Sequence, residues 1–336
     1  MKIYSETKIY EGLGYTPENV EEIESRAREE GTAAGATDGY NDGYESGRTD
    51  YKQHFSKEYF TIEALSTGTL DIYLNSANTL TGSLFYKIND DEYWTALRTS
   101  SETGSPSDSI TLAAGDVVKF KGTLDNSNKL FKKNNSFPMK VYGNIQSLYF
   151  DDAFSGETTC KEAKEMFNDS FLRLIDASNL VLPATTLTYG CYSHMFHYCQ
   201  KLTAAPALPA TTLANRCYMG MFSNCTGLTA APELPATTLV EACYMGMFAY
   251  CTSLTTAPVL PATLLDKDCY FSMFYGCTNL SAITCLATDI SSAGTCTPNW
   301  VYGVSSTGTF TKDASMTSWP TGVNGIPDGW TVIDAE

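Results

Sequence analysis

Cys191, His194, His197 and Cys199 place four metal-ligating side chains within nine residues, the sharpest metal-binding candidate in the chain. Thiolate and imidazole are the ligands zinc prefers, in a tetrahedral arrangement. The same stretch sets Cys191 near His194, a thiol–imidazole pair of the kind that performs nucleophilic attack. Two carboxylate pairs, Asp151 with Asp152 and Asp266 with Asp268, offer the groups a glycosidase needs. The glycine series at 31–47 is followed by neither Lys-Ser nor Lys-Thr, so it is not a phosphate-cradling loop.

Most of this chemistry dissolves when the surrounding pattern is read. Cys191, Cys217, Cys243 and Cys269 recur every 26 residues, as do Cys199, Cys225, Cys251 and Cys277. The two histidine positions hold Gly220 and Ser223 in the next copy, and Gly246 and Ala249 in the one after. A group that occurs once inside a repeated frame is explained by the frame. Four ligands on one short helix would also be hard to arrange tetrahedrally. No metal and no cofactor is therefore expected. A packed column cysteine is normally inert, and the carboxylate pairs read as solvated surface. The chain reads as non-enzymatic, with a polysaccharide depolymerase the one catalytic version retained.

The frame itself is strong. Leu182-Pro183, Leu208-Pro209, Leu234-Pro235 and Leu260-Pro261 share the 26-residue spacing, and Tyr192, Tyr218, Tyr244 and Tyr270 follow the first cysteine column. Met195-Phe196, Met221-Phe222, Met247-Phe248 and Met273-Phe274 lie between the two cysteine columns. Four copies of LPATTLxxxCYxxMFxxCxxLTxAP fill 182–285, a looser one precedes them at Met166-Phe167, and another decays through Cys296. Such self-similarity marks stacked units that bury a shared interior. Cys191, Met195, Phe196 and Cys199 fall at i, i+4, i+5 and i+8, the face of a short helix. The segment LTAAPALP reads as an extended arm broken by prolines. The variable triplets TYG, ANR, VEA and DKD, at 188–190, 214–216, 240–242 and 266–268, mark an outer face.

This unit resembles the BspA-like leucine-rich repeat family, and GTFTKDASMTSWPTGVNGIPDGW at 308–330 resembles the carboxy-terminal cap such proteins carry. The resemblance implies a curved solenoid used for adhesion or recognition, without catalysis. Members occur on the surfaces of Bacteroidetes and related anaerobes, and in their bacteriophages.

Ahead of the repeat, YFTIEAL, TLDIYLN, SLFYKIN, EYWTALR, SITLAA, VVKFKGT and MKVYGNI read as short strands separated by turn signals, suiting an antiparallel sandwich. The polar loop at 123–138 carries Phe131 and Phe137, which either contact a carbohydrate or tuck into the sheet. Nearer the start, Thr16-Pro17-Glu18 opens a charged helix. Gly31, Gly35, Gly39, Gly43 and Gly47 then recur every fourth residue with Tyr40 and Tyr44 beside them. Five glycines cost an isolated helix about 5 kcal/mol. The segment is therefore either a flexible tether or, the reading favoured here, a packed helix that docks or oligomerises.

The chain of 336 residues has 22 Lys+Arg against 38 Asp+Glu, a formal charge of −16. That charge removes the drive for binding nucleic-acid phosphates or an anionic membrane surface, and no apolar run is long enough to span a bilayer. Residues 1–14 lack the apolar stretch of a secretion signal. The thiols are accordingly expected free and buried, as in a reducing cytosol.

The resulting expectation is a mixed α+β chain. Residues 1–57 form a helical docking or oligomerisation segment, 58–150 a β-sandwich, 151–297 the solenoid and 298–336 the cap. The expected role is a structural and recognition protein of a bacteriophage particle, a tail or head fibre or a capsid decoration, assembled in the host cytoplasm. It would contact other virion proteins and copies of itself through its start, and a host-surface glycan or protein through the solenoid. A bacterial surface adhesin and a capsule depolymerase are the alternatives. The candidate binding residues are His194, His197, Tyr198, Asn215, Arg216, Glu241, Tyr250, Lys267 and Tyr275, because tyrosine and arginine are the usual anchors of interfaces.

Overall fold

The structure, a computed structural model, describes residue 55 and residues 57–335 apart from 74–81, 99–106, 128, 132–134, 136, 169–172, 289 and 291–295. The helix and glycine stripe expected before residue 54 lie outside the described residues. Ser56–Glu336 forms one compact unit. Its first strands are β1 (Phe60–Ala64), β2 (Gly68–Tyr73), β3 (Leu84–Ile88), β4 (Thr95–Arg98), β5 (Ser107–Leu112), β6 (Val117–Gly122) and β7 (Met139–Asn144). A short helix α1 (Ser147–Phe150) runs into a 3-10 turn at Asp151–Ala153. The strands β8 (Leu174–Asp176) and β9 (Leu180–Val181) follow.

Alternation drives the strands together. Val118 and Phe120 of β6, and Met139 and Val141 of β7, turn inward on a period of two and are buried. β1 lies between these two strands, antiparallel to both, with Ile62 opposite Val118 and Val141. β3 and β4 extend the sheet beyond β6, while β7 takes β8 and β9 as parallel partners. β2 and β5 pair separately as an antiparallel ribbon.

This corrects the expected architecture of a helix, an antiparallel sandwich and a leucine-rich-repeat solenoid with its cap. Regular structure among the described residues is mostly strand, the sheets are open, and α1 is the one helix described in full. The seven β-rich runs do become β1 to β7. The parallel partners of β7 come from beyond residue 150 and are two or three residues long, too short to betray themselves by alternation.

The short helix expected at 191–199 is also not formed. Tyr192, His194 and Phe196 donate their N–H groups to the carbonyls of Cys217, Met219 and Met221 at 3.0, 2.8 and 2.9 Å. The intervening Ser193, Met195 and His197 donate three residues back, to Gly190, Tyr192 and His194. Gly190, His194 and Tyr198 have φ of 59°, 56° and 63°. A left-handed residue at every fourth position makes a chain of tight turns, where an α-helix needs bonds four residues back. The same positions are Arg216, Gly220 and Asn224 in the next unit, then Ala242, Gly246 and Tyr250, then Asp268, Ser272 and Gly276.

Because the N–H groups point along the stack, each unit is hydrogen-bonded to the next and identical side chains meet. Phe196, Phe222, Phe248 and Phe274 stack with ring centroids 5.4, 5.7 and 5.9 Å apart and planes within 7°. Phe167 and Phe131 continue this column toward Phe60 of β1. Phe131 and Phe137 are thus core residues, which removes them from any carbohydrate role. Tyr192, Tyr218, Tyr244 and Tyr270 form a second buried column. In the second cysteine column, the thiols of Cys225, Cys251 and Cys277 donate to the carbonyls of Phe196, Phe222 and Phe248 at 3.1, 3.1 and 3.0 Å. Cysteine supplies there a compact apolar side chain with one weak donor.

At the far end, β10 (Ala282–Cys285), β11 (Thr309–Lys312) and β12 (Thr331–Asp334) pair in parallel. Trp300 closes the ring columns, stacking on Tyr270 at 6.0 Å and donating its indole N–H to the Gly325 carbonyl at 2.8 Å.

Candidate functional site

The turns at 189–198 and their counterparts expose the side chains that the interior does not consume. At one end of each turn segment runs the column Tyr189, Asn215, Glu241 and Lys267. Asn215 donates to Glu241 Oε2 at 3.4 Å and Lys267 Nζ lies 3.0 Å from Glu241 Oε1, with Asp268 Oδ2 4.0 Å from the same ammonium. Its hydrogen bond to Glu241 raises the Lys267 pKa. Exposed pairs of this kind contribute little to stability. Arg216 is exposed beside them, at φ 59°.

At the other end stand the aromatic and imidazole groups. The His194 ring lies over Gly220, where a Cβ would come within 2.7 Å of Cδ2 and Nε2. Ser193 Oγ is 2.8 Å from His194 Nδ1, and burial pushes the imidazole pKa down, so the ring is neutral at pH 7. His197 meets His194 edge-on at 5.2 Å and Tyr198 at 4.3 Å, with Nδ1 3.1 Å from Asn168 Oδ1. The two nearby thiols, of Cys191 and Cys199, are fully buried, with Cys199 donating to the Phe167 carbonyl at 3.5 Å.

Further along, Tyr250 and Tyr275 approach edge-on at 5.3 Å, and Tyr275 stacks on Tyr302 at 4.8 Å and 15°. The structure thus brings His194, His197 and Tyr198 into one group, Asn215, Glu241 and Lys267 into a second, and Tyr250 with Tyr275 into a third. Asn224 occupies the position of Tyr198 and Tyr250 in the unit between them. Tyr302 was not among the residues expected from the sequence, nor was Tyr189, which is 63% exposed at the head of the charged column. A signal for Tyr302 existed: Tyr302-Gly303 repeats Tyr275-Gly276 at a distance of 27 residues.

The carboxylate pair Asp151 and Asp152 grips Lys121 Nζ at 3.0 and 2.6 Å, and the Tyr59 hydroxyl donates to Asp152 at 2.6 Å. The Lys121 ammonium also sits 4.9 Å from the centre of the Trp94 ring. The hydrogen bond from Lys121 leads in lowering the Asp152 pKa, opposite to what a general acid requires. Asp266 accepts from the Lys267 backbone N–H at 2.6 Å. Among the described residues no helix is long and apolar enough to cross a membrane.

Comparison with protein-family models, with curated proteins and with solved structures finds no match to this chain.

Proposed function

We propose that this chain is a non-enzymatic recognition protein of a bacteriophage particle, a tail or head fibre or a capsid decoration, assembled in the host cytoplasm. Residues 1–57 dock it to other virion proteins or to further copies of itself. The turn face contacts a host-surface molecule. The observation that carries this reading is the run of tyrosines in ring contact across successive units, Tyr250 and Tyr302 exposed and Tyr275 half-buried between them. Rigid aromatic side chains held on a hydrogen-bonded backing are the usual anchors of recognition. The resemblance of the 26-residue unit to BspA-like repeats supports the same reading.

The test has two parts. Mass spectrometry of purified particles should find the chain. Particles carrying alanine at Tyr198, Arg216 and Tyr250 should assemble normally and adsorb to host cells poorly. A chain absent from particles and present on the cell envelope would instead be an adhesin. Normal adsorption by the triple variant would remove the turn face as the reader.

A further inference from the structure

We propose that Tyr250, Tyr275 and Tyr302 form a binding site for an uncharged oligosaccharide. This deepens the recognition reading above and rests on it.

Single exposed tyrosines are ordinary on a protein surface. Three in ring contact are a patch. Tyr250 is 45% exposed and Tyr302 49%, with Tyr275 half-buried between them. Their backbone is fixed: Tyr250 N–H donates to the Tyr275 carbonyl, and Gly276 N–H to the Tyr302 carbonyl, each at 2.7 Å. The rings therefore lose little freedom on binding. Two steps of the stack separate Tyr250 from Tyr302, roughly 10 Å at ~4.8 Å per step. That is the span of two linked pyranose rings.

The ligand class follows from charge. Residues 242–265, 269–288 and 295–311 contain no Asp, Glu, Lys or Arg, in a chain with a formal charge of −16. Those stretches offer an anionic sugar no cation, and the Lys267 ammonium, at the other end of the turn segments, is already paired with Glu241. A neutral pyranose suits both features present. Its C–H groups can pack on the ring surface that Tyr250 and Tyr302 leave exposed, Tyr275 being held between them, and its hydroxyls can exchange hydrogen bonds with the tyrosine hydroxyls. Gly276, which follows Tyr275, leaves the space that the Tyr250 ring occupies.

The experiment applies the full chain to an array of neutral and anionic oligosaccharides and measures affinity for each hit by calorimetry. The expected result is binding to at least one neutral oligosaccharide, unaffected by added salt, weakened about tenfold or more by Tyr302→Ala and largely kept by Tyr302→Phe. Tyr250→Ala gives the same reading should Tyr302→Ala fold poorly. Binding of anionic sugars alone, a blank array, or alanine variants that bind as the parent does would each overturn the site. Loss of adsorption by the triple variant together with a blank array would keep recognition and assign it to a protein receptor. Sugar binding by a chain absent from particles would keep the site and overturn the virion placement.

Discussion

Tyr250 lies so close to Gly276 of the following unit that a Cβ on that glycine would stand 2.7 Å from the ring Cδ1. Gly276 is also left-handed, at φ 72°. Gly276→Ala should therefore suffer twice, about 1–2 kcal/mol from the backbone and a further ~1 kcal/mol or more from the displaced ring. Gly246 provides the control, with φ 61° and nothing within 4 Å of its would-be Cβ. Gly246→Ala should show only the backbone cost. Urea denaturation of both variants checks this, and equal losses would remove the ring contact from the account.

The phenylalanine column makes a second prediction. Phe222 is fully buried between Phe196 and Phe248. Phe222→Ala should destabilise by about 3–5 kcal/mol. Because each unit touches chiefly its neighbours, hydrogen exchange should quicken most in the units of Phe196 and Phe248. Uniform quickening from β1 to β12 would contradict that locality.

A third concerns alkaline pH. Burial pushes the thiols of Cys217, Cys243, Cys277 and Cys285 up to about 12. An unfolded thiol loses its proton near ~8.5. Between those values the unfolded chain binds fewer protons than the folded one, so stability falls as pH rises. Each such thiol withdraws ~1.4 kcal/mol per pH unit. The urea midpoint should be steady below about pH 8 and drop steeply by about pH 10. A midpoint that stays level would mean the thiols are wet.

Cys160 should behave in the opposite way. It is half-buried, Thr188 Oγ1 lies 3.7 Å from its sulfur, and hydrogen bonding from Cys191 and Thr188 draws its pKa below that of an ordinary thiol. The thiolate is the reactive form. Alkylation of the native protein should therefore modify Cys160 first, at a rate that levels off at a lower pH than that of an ordinary thiol. Peptide mapping after brief iodoacetamide treatment reads this directly. A rate still climbing about tenfold between pH 7 and 8 would show an ordinary thiol.

The 26-residue period was open to inspection because each column meets its own kind: Tyr218 over Tyr244, Phe222 over Phe248. Local conformation was hidden. The spacing of Cys191, Met195, Phe196 and Cys199 satisfies a helix of 3.6 residues per turn and a chain of four-residue turns almost equally. The deciding mark was fainter: glycine at 190, 220, 246 and 276, in columns where left-handed φ recurs. Tyr302 escaped because the last step is one residue longer and Trp300 takes the place of Met273, as the matching bonds from Phe274 to Trp300 and from Phe248 to Met273 show. The open sheet escaped because β8 and β9 carry too few residues to display a pattern.

Each unit receives on one side the ring, thiol and backbone groups that it offers on the other. Deleting or duplicating 26 codons anywhere between Leu182 and Cys285 would therefore rejoin matched surfaces with no new interface to invent. The length of this molecule is a heritable variable that recombination can lengthen or shorten in steps, while both ends stay as they are.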